Sequence, residues 1–315
     1  MINISQIPFP ELAKGEPLEQ IMADLEQRCR TAMTARLPAG TPPTDLGKPL
    51  IQALFKTMAR REQQIQARIN TAARAVMLAT ANGSDLDQVA ALHGVKRLVI
   101  GPSDEVSSEM ELEDDERLRG RARLAMDALS QSGTEGEYRF HALSASAQIK
   151  DVSVFASDQE LGKVHVHVLS RNGRGDGTEK SDEGVLQAVQ EALQSVQSIT
   201  DNVEVDWAKI YPYHVKANLT LKPGAVPEQV RLEVLAALTQ LIHDNHRLGK
   251  ELLRDELFAA IYQAGVAEVI LEEPATDRTL DLDTAPFNAA DPEADAEADA
   301  EDKDITLLQI SIVES

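Results

Sequence analysis

A chain of 315 residues, 43% apolar but only 3% aromatic, is long enough for two domains, or for one domain with an extended helical arm, around a core of Leu, Val, Ile and Ala. Its formal net charge of −21 argues against a nucleic-acid partner, because phosphate-backbone binding draws its affinity from Lys and Arg that release counterions. Cys29 is the only cysteine, which excludes an intrachain disulfide and a cysteine zinc site, and with no basic-then-apolar start and no run of about 18 apolar residues, neither export by a signal peptide nor membrane insertion is expected.

Residues 1 to 17 hold Pro8, Pro10 and Pro17 and read as an extended arm that gains order only against something else. Leu18, Ile21, Met22, Leu25, Cys29, Met33 and Leu37 then fall on one helical stripe. Pro38 to Pro43 breaks the chain. Asp45 can cap a longer helix running to about Ala81, in which Leu50, Leu54, Met58, Ile65, Ile69, Ala72 and Val76 recur at spacings of three, four or seven. At 1.5 Å per residue that helix would be roughly 54 Å long, more than a compact domain needs. A hairpin with the preceding helix and a seam with a partner chain both fit the pattern, and the second half should keep an unmatched stripe.

Asn82 and Gly83 stop the helix, Ser84 can cap the next, and Leu86, Val89, Ala90 and Leu92 form a short one ended by Gly94. Lys96 to Ser108 reads as a connector. Asp114 and Asp115 mark a helix start, with Leu118, Ala122, Ala125 and Leu129 at helical spacing. Gly133 ends it, and Thr134 with Glu137 caps another whose inner face is Tyr138, His141, Ala142 and Ala145. Ile149, Val152 and Val154, then Val164, Val166 and Val168, change the period toward two, as strands do.

NGRGDGT at 172 to 178 is a turn without the lysine and hydroxyl of a phosphate cradle. Helices follow at Val185 to Val196, from Pro227, and at Leu253 to Gln263. Alternating segments lie at Val203 to Trp207, Ile210 to Lys222, Val269 to Leu271 and Ile305 to Val313. The order from Ile149 is β-β-α-β-β-α-α-β-β. The fold class expected is therefore α+β: a long-helix arm over 1–81, a helical module and connector over 82–148, and mixed sheets over 149–315. Residues 272 to 304 carry thirteen Asp or Glu against Arg278 and Lys303, and 285–304 should be a solvated, disordered loop.

Chemistry is sparse. His165 and His167 are two apart on an expected strand and so share a face, as two metal ligands could. A closed site needs three or four ligands, and none recurs downstream at ligand spacing. Structural histidines are the simpler reading, with a metal-binding module or enzyme centred on the pair as the alternative. His243 and His246 near a helix end are explained by the helix dipole. No G-x-S-x-G occurs and no carboxylate pair stands out, so no catalytic residue and no cofactor is expected.

The segments DERLRGR, SGTEGEYRFHALSASAQIKDVSV and KVHVHVLSRNGRGDGT, with GSDLDQVAALHGVKRL at 83 to 98, resemble the baseplate assembly protein J family of contractile-tailed bacteriophages and tailocins. The likeness spans about Leu18 to Phe287. It implies a structural subunit of a baseplate wedge, made in the bacterial host cytoplasm and resident in the virion tail baseplate. The partners it implies are a second copy of the chain, a smaller wedge protein and a lysozyme-like sheath-initiating subunit. It places Gly83, Asp85, Leu86, Gly94, Tyr138 and His141 among the motif positions. Leu50, Leu54, Met58, Ile65, Ile69 and Val76 would form the seam of a shared helical bundle.

Overall fold

The computed structural model describes residues 8–9, 12–36, 46–102, 110–129, 132–156, 162–288 and 308–313. The expected cap Asp45, the break at Pro38 to Pro43 and the acidic stretch 289–304 lie outside them. The fold is α+β, and the chain divides into two units: Met1–Lys96 with Asp115–Arg119, and Arg97–Asp114 with Gly120–Ser315.

In the first unit, α1 (Leu18–Arg36) and α2 (Pro49–Ala75) pack together. Ala13 pairs with Asn70, the Glu16 carbonyl accepts from Gln63, and Glu26 accepts from Gln52. Rising numbers in one segment meet falling numbers in the other, so the two run antiparallel. Ile21 is buried on α1, with Leu18, Met22, Leu25, Cys29 and Met33 half-buried beside it. The face of α2 that is covered carries Phe55, Ala59 and Ala73, flanked by half-buried Gln52, Gln63, Gln66 and Asn70.

The long helix is shorter than the spacing predicts. It starts at Pro49 behind Lys48, where a missing N–H costs nothing, and its 27 residues span about 40 Å. The apolar period continues past Ala75, but the backbone does not. Met77 N and the Thr80 hydroxyl both turn back to the Arg74 carbonyl, at 3.3 and 2.8 Å, and Thr80 N and Ala81 N bond Met77 O. The tightened turns free the carbonyls of Leu78 and Ala81, which accept from the buried Arg119 guanidinium at 2.9 and 2.7 Å.

Helix α3 (Gly83–Leu92) ends in a Schellman turn: Val95 N bonds Ala90 O and Gly94 N bonds Ala91 O. Gly94 sits at φ +73°, the left-handed position that motif requires. Leu86 and Ala90 are fully buried, whereas Leu92, expected on the inner face, is exposed. The Gly83 N–H donates to Asp115 at the head of α4 (Asp115–Leu124).

The stretch expected as a connector holds β1 (Val99–Pro102), antiparallel to β2 (Met110–Leu112). Helix α4 stops at Leu124 and a 3-10 turn, Asp127–Leu129, follows, so Leu129 is exposed rather than inward. Between β2 and α4, Glu113 and Arg121 form an ion pair at 2.8 Å with side chains 0% and 3% exposed.

Helix α5 (Glu135–Ala145) has the expected cap: the Thr134 hydroxyl accepts from Glu137 N, and Glu137 reaches back to Gly133 N. It packs with α6 (Val185–Gln194) on a sheet of order β3-β4-β5, made of Ile149–Ala156, Lys163–Ser170 and Asn202–Trp207. Strand β4 is antiparallel to β3 and parallel to β5. Tyr138, Ala142, Val152, Val166, Val168, Val189 and Leu193 fill the space between.

The alternating run from Ile210 to Lys222 is two strands in two sheets. Strand β6 (Lys209–Tyr213) pairs in parallel with β9 (Thr284–Asn288), and β7 (Val215–Leu221) is central to a second three-stranded sheet. Pro212 sits in β6, which among the described residues pairs with β9 alone, an edge position of the kind that tolerates a missing N–H. Strand β9 also corrects the extent of the acidic loop. Residues 285–288 are ordered, with Ala285 and Phe287 buried.

In the second sheet β7 is antiparallel to β8 (Val266–Glu273) and parallel to β10 (Leu308–Val313). Helices α7 (Pro227–Asn245) and α8 (Arg254–Ile261) cover it through Val234, Leu238, Leu257 and Ile261. Burying a side chain such as Leu238 favours folding by about 1.5–3 kcal/mol.

Candidate functional site

Five of the six residues of the expected seam lie on α2 and Val76 directly follows its last residue; all six are exposed, from 39% at Ile65 to 76% at Leu50. They form a second apolar stripe, with Ala72, about 110° around the helix from the Phe55 face. The α1 hairpin therefore accounts for one face of α2 and leaves the other open. Sequence spacing pointed to the open stripe and missed the covered one; Phe55, Ala59, Gln66 and Ala73 recur at four and seven, a signal diluted by its glutamines.

One stripe position is not apolar. Arg61 falls between Met58 and Ile65, and Arg68 follows it seven residues on, along the edge of the stripe away from α1. Both are exposed. Helix α2 carries Lys56, Arg60, Arg61, Arg68 and Arg74 against Glu62 alone, a local net of +4 in a chain of −21. Arg74 lies over the Phe9 ring at 4.7 Å. Among the described residues, no carboxylate pairs with Lys56, Arg60, Arg61 or Arg68.

Each motif position serves packing or capping. Leu86 is core, Gly94 the left-handed turn, Gly83 the donor to Asp115, and Asp85 an exposed carboxylate in the first turn of α3. The Tyr138 hydroxyl donates to Asp201 at 2.6 Å and accepts from Ser198 N at 3.2 Å. Burial and then the Asp201 carboxylate push its ionisation up to about 12. His141 is half-buried and edge-on to Phe140, with ring centroids 5.3 Å apart. Burial lowers its pKa, with Glu137 opposing.

His165 and His167 share the sheet face away from Val166 and Val168. Their centroids are 6.2 Å apart, and Phe155 packs on both at 5.5 and 5.6 Å. His167 Nδ1 faces the Trp207 carbonyl at 3.3 Å, and His165 Nδ1 lies 3.8 Å from Glu204. Among the described residues no three His, Cys, Asp or Glu side chains gather as a metal site would need. The pair takes part in a ring ladder.

His246 departs from the dipole explanation. Its Nδ1 contacts the Pro286 carbonyl at 2.8 Å, and its ring meets Phe287 edge-on, so it ties the end of α7 to β9. The Asp151 carboxylate acts likewise, accepting from Arg139 at 2.8 Å and Leu248 N at 3.2 Å. Among the described residues no helix is long and apolar enough to cross a membrane.

Residues 48–104 match the Baseplate J-like N-terminal domain, and residues 130–206 match the Baseplate J-like central domain. Baseplate protein J of Escherichia phage P2 is 32% identical over 302 residues, covering 91% of this chain and 95% of the relative. The anti-feeding prophage baseplate, solved by cryo-electron microscopy with six-fold symmetry, contains a chain that aligns over 57% of this one and 42% of its own length. The TM-score there is 0.39 and the identity 16%. With both domain models matched in order and a relative aligned nearly end to end, the chain belongs to the baseplate J family and is a structural protein of the phage tail baseplate.

Proposed function

We propose that the chain is a wedge subunit of a contractile-tail baseplate, whose work is association rather than turnover. Residues 1–81 enter a helical bundle shared with a second copy and a smaller wedge protein, through Leu50, Leu54, Met58, Ile65, Ile69 and Val76. Residues 82–148 carry the helical module. Residues 149–315 pair with neighbouring copies around the tail and meet a lysozyme-like sheath-initiating subunit. The observation that carries this reading is the second, uncovered apolar stripe on a helix whose other face is already filled. Apolar side chains repeated along one exposed helix face are what a bundle partner covers.

Complementation in a particle-producing host tests it. A chain with Leu54→Asp and Ile65→Asp, both at exposed sites, should fold and accumulate normally yet be absent from purified tails, with particle yield reduced by at least about tenfold. Wild-type yields of tails containing the double variant would refute the seam.

A further inference from the structure

The loop between β4 and α6, RNGRGDGTEKSDEG at 171–184, has no part in the seam. We infer that it binds a divalent cation of the calcium class, with Asp182 and Glu179 supplying the charge and Asn172 a neutral oxygen.

The first observation is a buried carboxylate left half unsatisfied. Asp182 is 3% exposed. Its Oδ1 accepts from the Ser170 hydroxyl at 2.6 Å and from Asn172 Nδ2 at 2.8 Å, whereas Oδ2, also enclosed, meets no donor. Among the described residues no Lys, Arg or His pairs with Asp182. A buried charge needs a partner ion or a full set of hydrogen bonds to offset its lost hydration. Asp182 has neither.

The second observation is where Glu179 lies. Its carboxylate is folded back over the loop, so that a Cβ placed on Gly173 would meet Oε1 at 2.5 Å and Cδ at 3.0 Å. It does so without a basic partner among the described residues. Gly173 adjoins Asn172, whose amide is already on Asp182, so two carboxylates bear on one dipeptide and repel each other until a cation joins them. The Asn172 amide donates through Nδ2 to Asp182 and to Gln148 Oε1 at 3.1 Å, which leaves its own oxygen to offer.

Calcium suits these donors. No His or Cys lies in the loop, and no three His, Cys, Asp or Glu side chains gather among the described residues, so the donors are not those of a zinc site. Calcium instead takes about six to eight oxygens, most of which can be amides, backbone carbonyls and water, and two carboxylates neutralise it.

Trp207 provides the readout. It is the only tryptophan, and its indole lies so close to Gly177 that a side chain there would overlap the ring. Terbium, which shares calcium's preference for oxygen, should therefore luminesce on tryptophan excitation when added to the full chain, and calcium chloride should displace it. Asp182→Asn keeps the shape and removes the charge, and should lower that signal at least about tenfold. Calcium at about 1 mM should raise the thermal midpoint of the wild type by about 3 °C or more, and leave that of the variant unmoved.

If Asp182→Asn does not fold, Glu179→Gln, at an exposed side chain, decides in its place and should weaken calcium binding at least about tenfold. Replacing the acidic residues of 291–304 by Asn and Gln should leave the terbium signal intact. Loss of the signal on that replacement, no luminescence from the wild type, or luminescence that survives the loop variants overturns the inference.

Discussion

Helices α2 and α7 solve the same problem with different resources. On α7 one stripe, Val230, Val234, Leu238 and Ile242, is buried to 7% exposure or less, and the second sheet together with α8 supplies its cover. On α2 two stripes run side by side, one filled by α1 and one open. The difference teaches that amphipathicity alone does not say whether a helix is complete within its own chain. The number of apolar stripes against the number of covering elements does.

The comparison can be pressed hardest in the unit whose interior is closed. Glu113→Ala removes the carboxylate from the buried Arg121 guanidinium, and denaturant unfolding should show a loss of about 3–5 kcal/mol, the penalty for stranding a buried charge. On α2 itself, Phe55→Ala opens a cavity under α1. It should destabilise the hairpin by about 3 kcal/mol, read as earlier loss of helical circular dichroism on heating.

Tyr138→Phe is a smaller perturbation, about 1–2 kcal/mol by denaturant titration, because the Asp201 and Ser198 partners lose one hydroxyl. It also carries a signature in pH. The unfolded tyrosine ionises near pH 10, whereas the folded one holds its proton to about 12. The unfolded chain therefore binds fewer protons across that window, and stability present below pH 10 is lost as pH rises toward 12. The phenylalanine variant should show a shallower decline, although Tyr213, also raised by burial, leaves part of the slope in place.

The smallest expected change is the most telling. Leu54→Ala, one residue from Phe55, should alter the stability of the isolated chain by no more than about 0.5 kcal/mol. A loss near that of Phe55→Ala would mean that α2 has no open side.

Elements with a strong period were legible from sequence: α1, α5, α6, α7, β3 and β4 lie where the spacing puts them, and the Thr134–Glu137 cap is as expected. Three misreadings share a cause. The end of α2 at Ala75 is set by Arg119, more than forty residues on, which takes the carbonyls of the turn. The split at His214 depends on β6 and β7 having partners in different sheets. Strand β9 was hidden because its acidic neighbourhood reads as solvated, while Ala285 and Phe287 are drawn inward by β6 and the α7 end. Each is decided by residues far away in the chain. The open stripe was legible because it needs no intrachain partner.

The pairing of Leu308 with Val215 and onward to Val313 with Thr220 has a consequence during synthesis. The ribosome delivers β7, α7, α8 and β8 well before β10 emerges, so the nascent chain must wait with one side of β7 unsealed. That side is a ladder of unsatisfied peptide groups able to recruit a stray strand. Translation that stalls between those codons would leave subunits prone to clump, and only products carried through to β10 would enter the pool available for tail building.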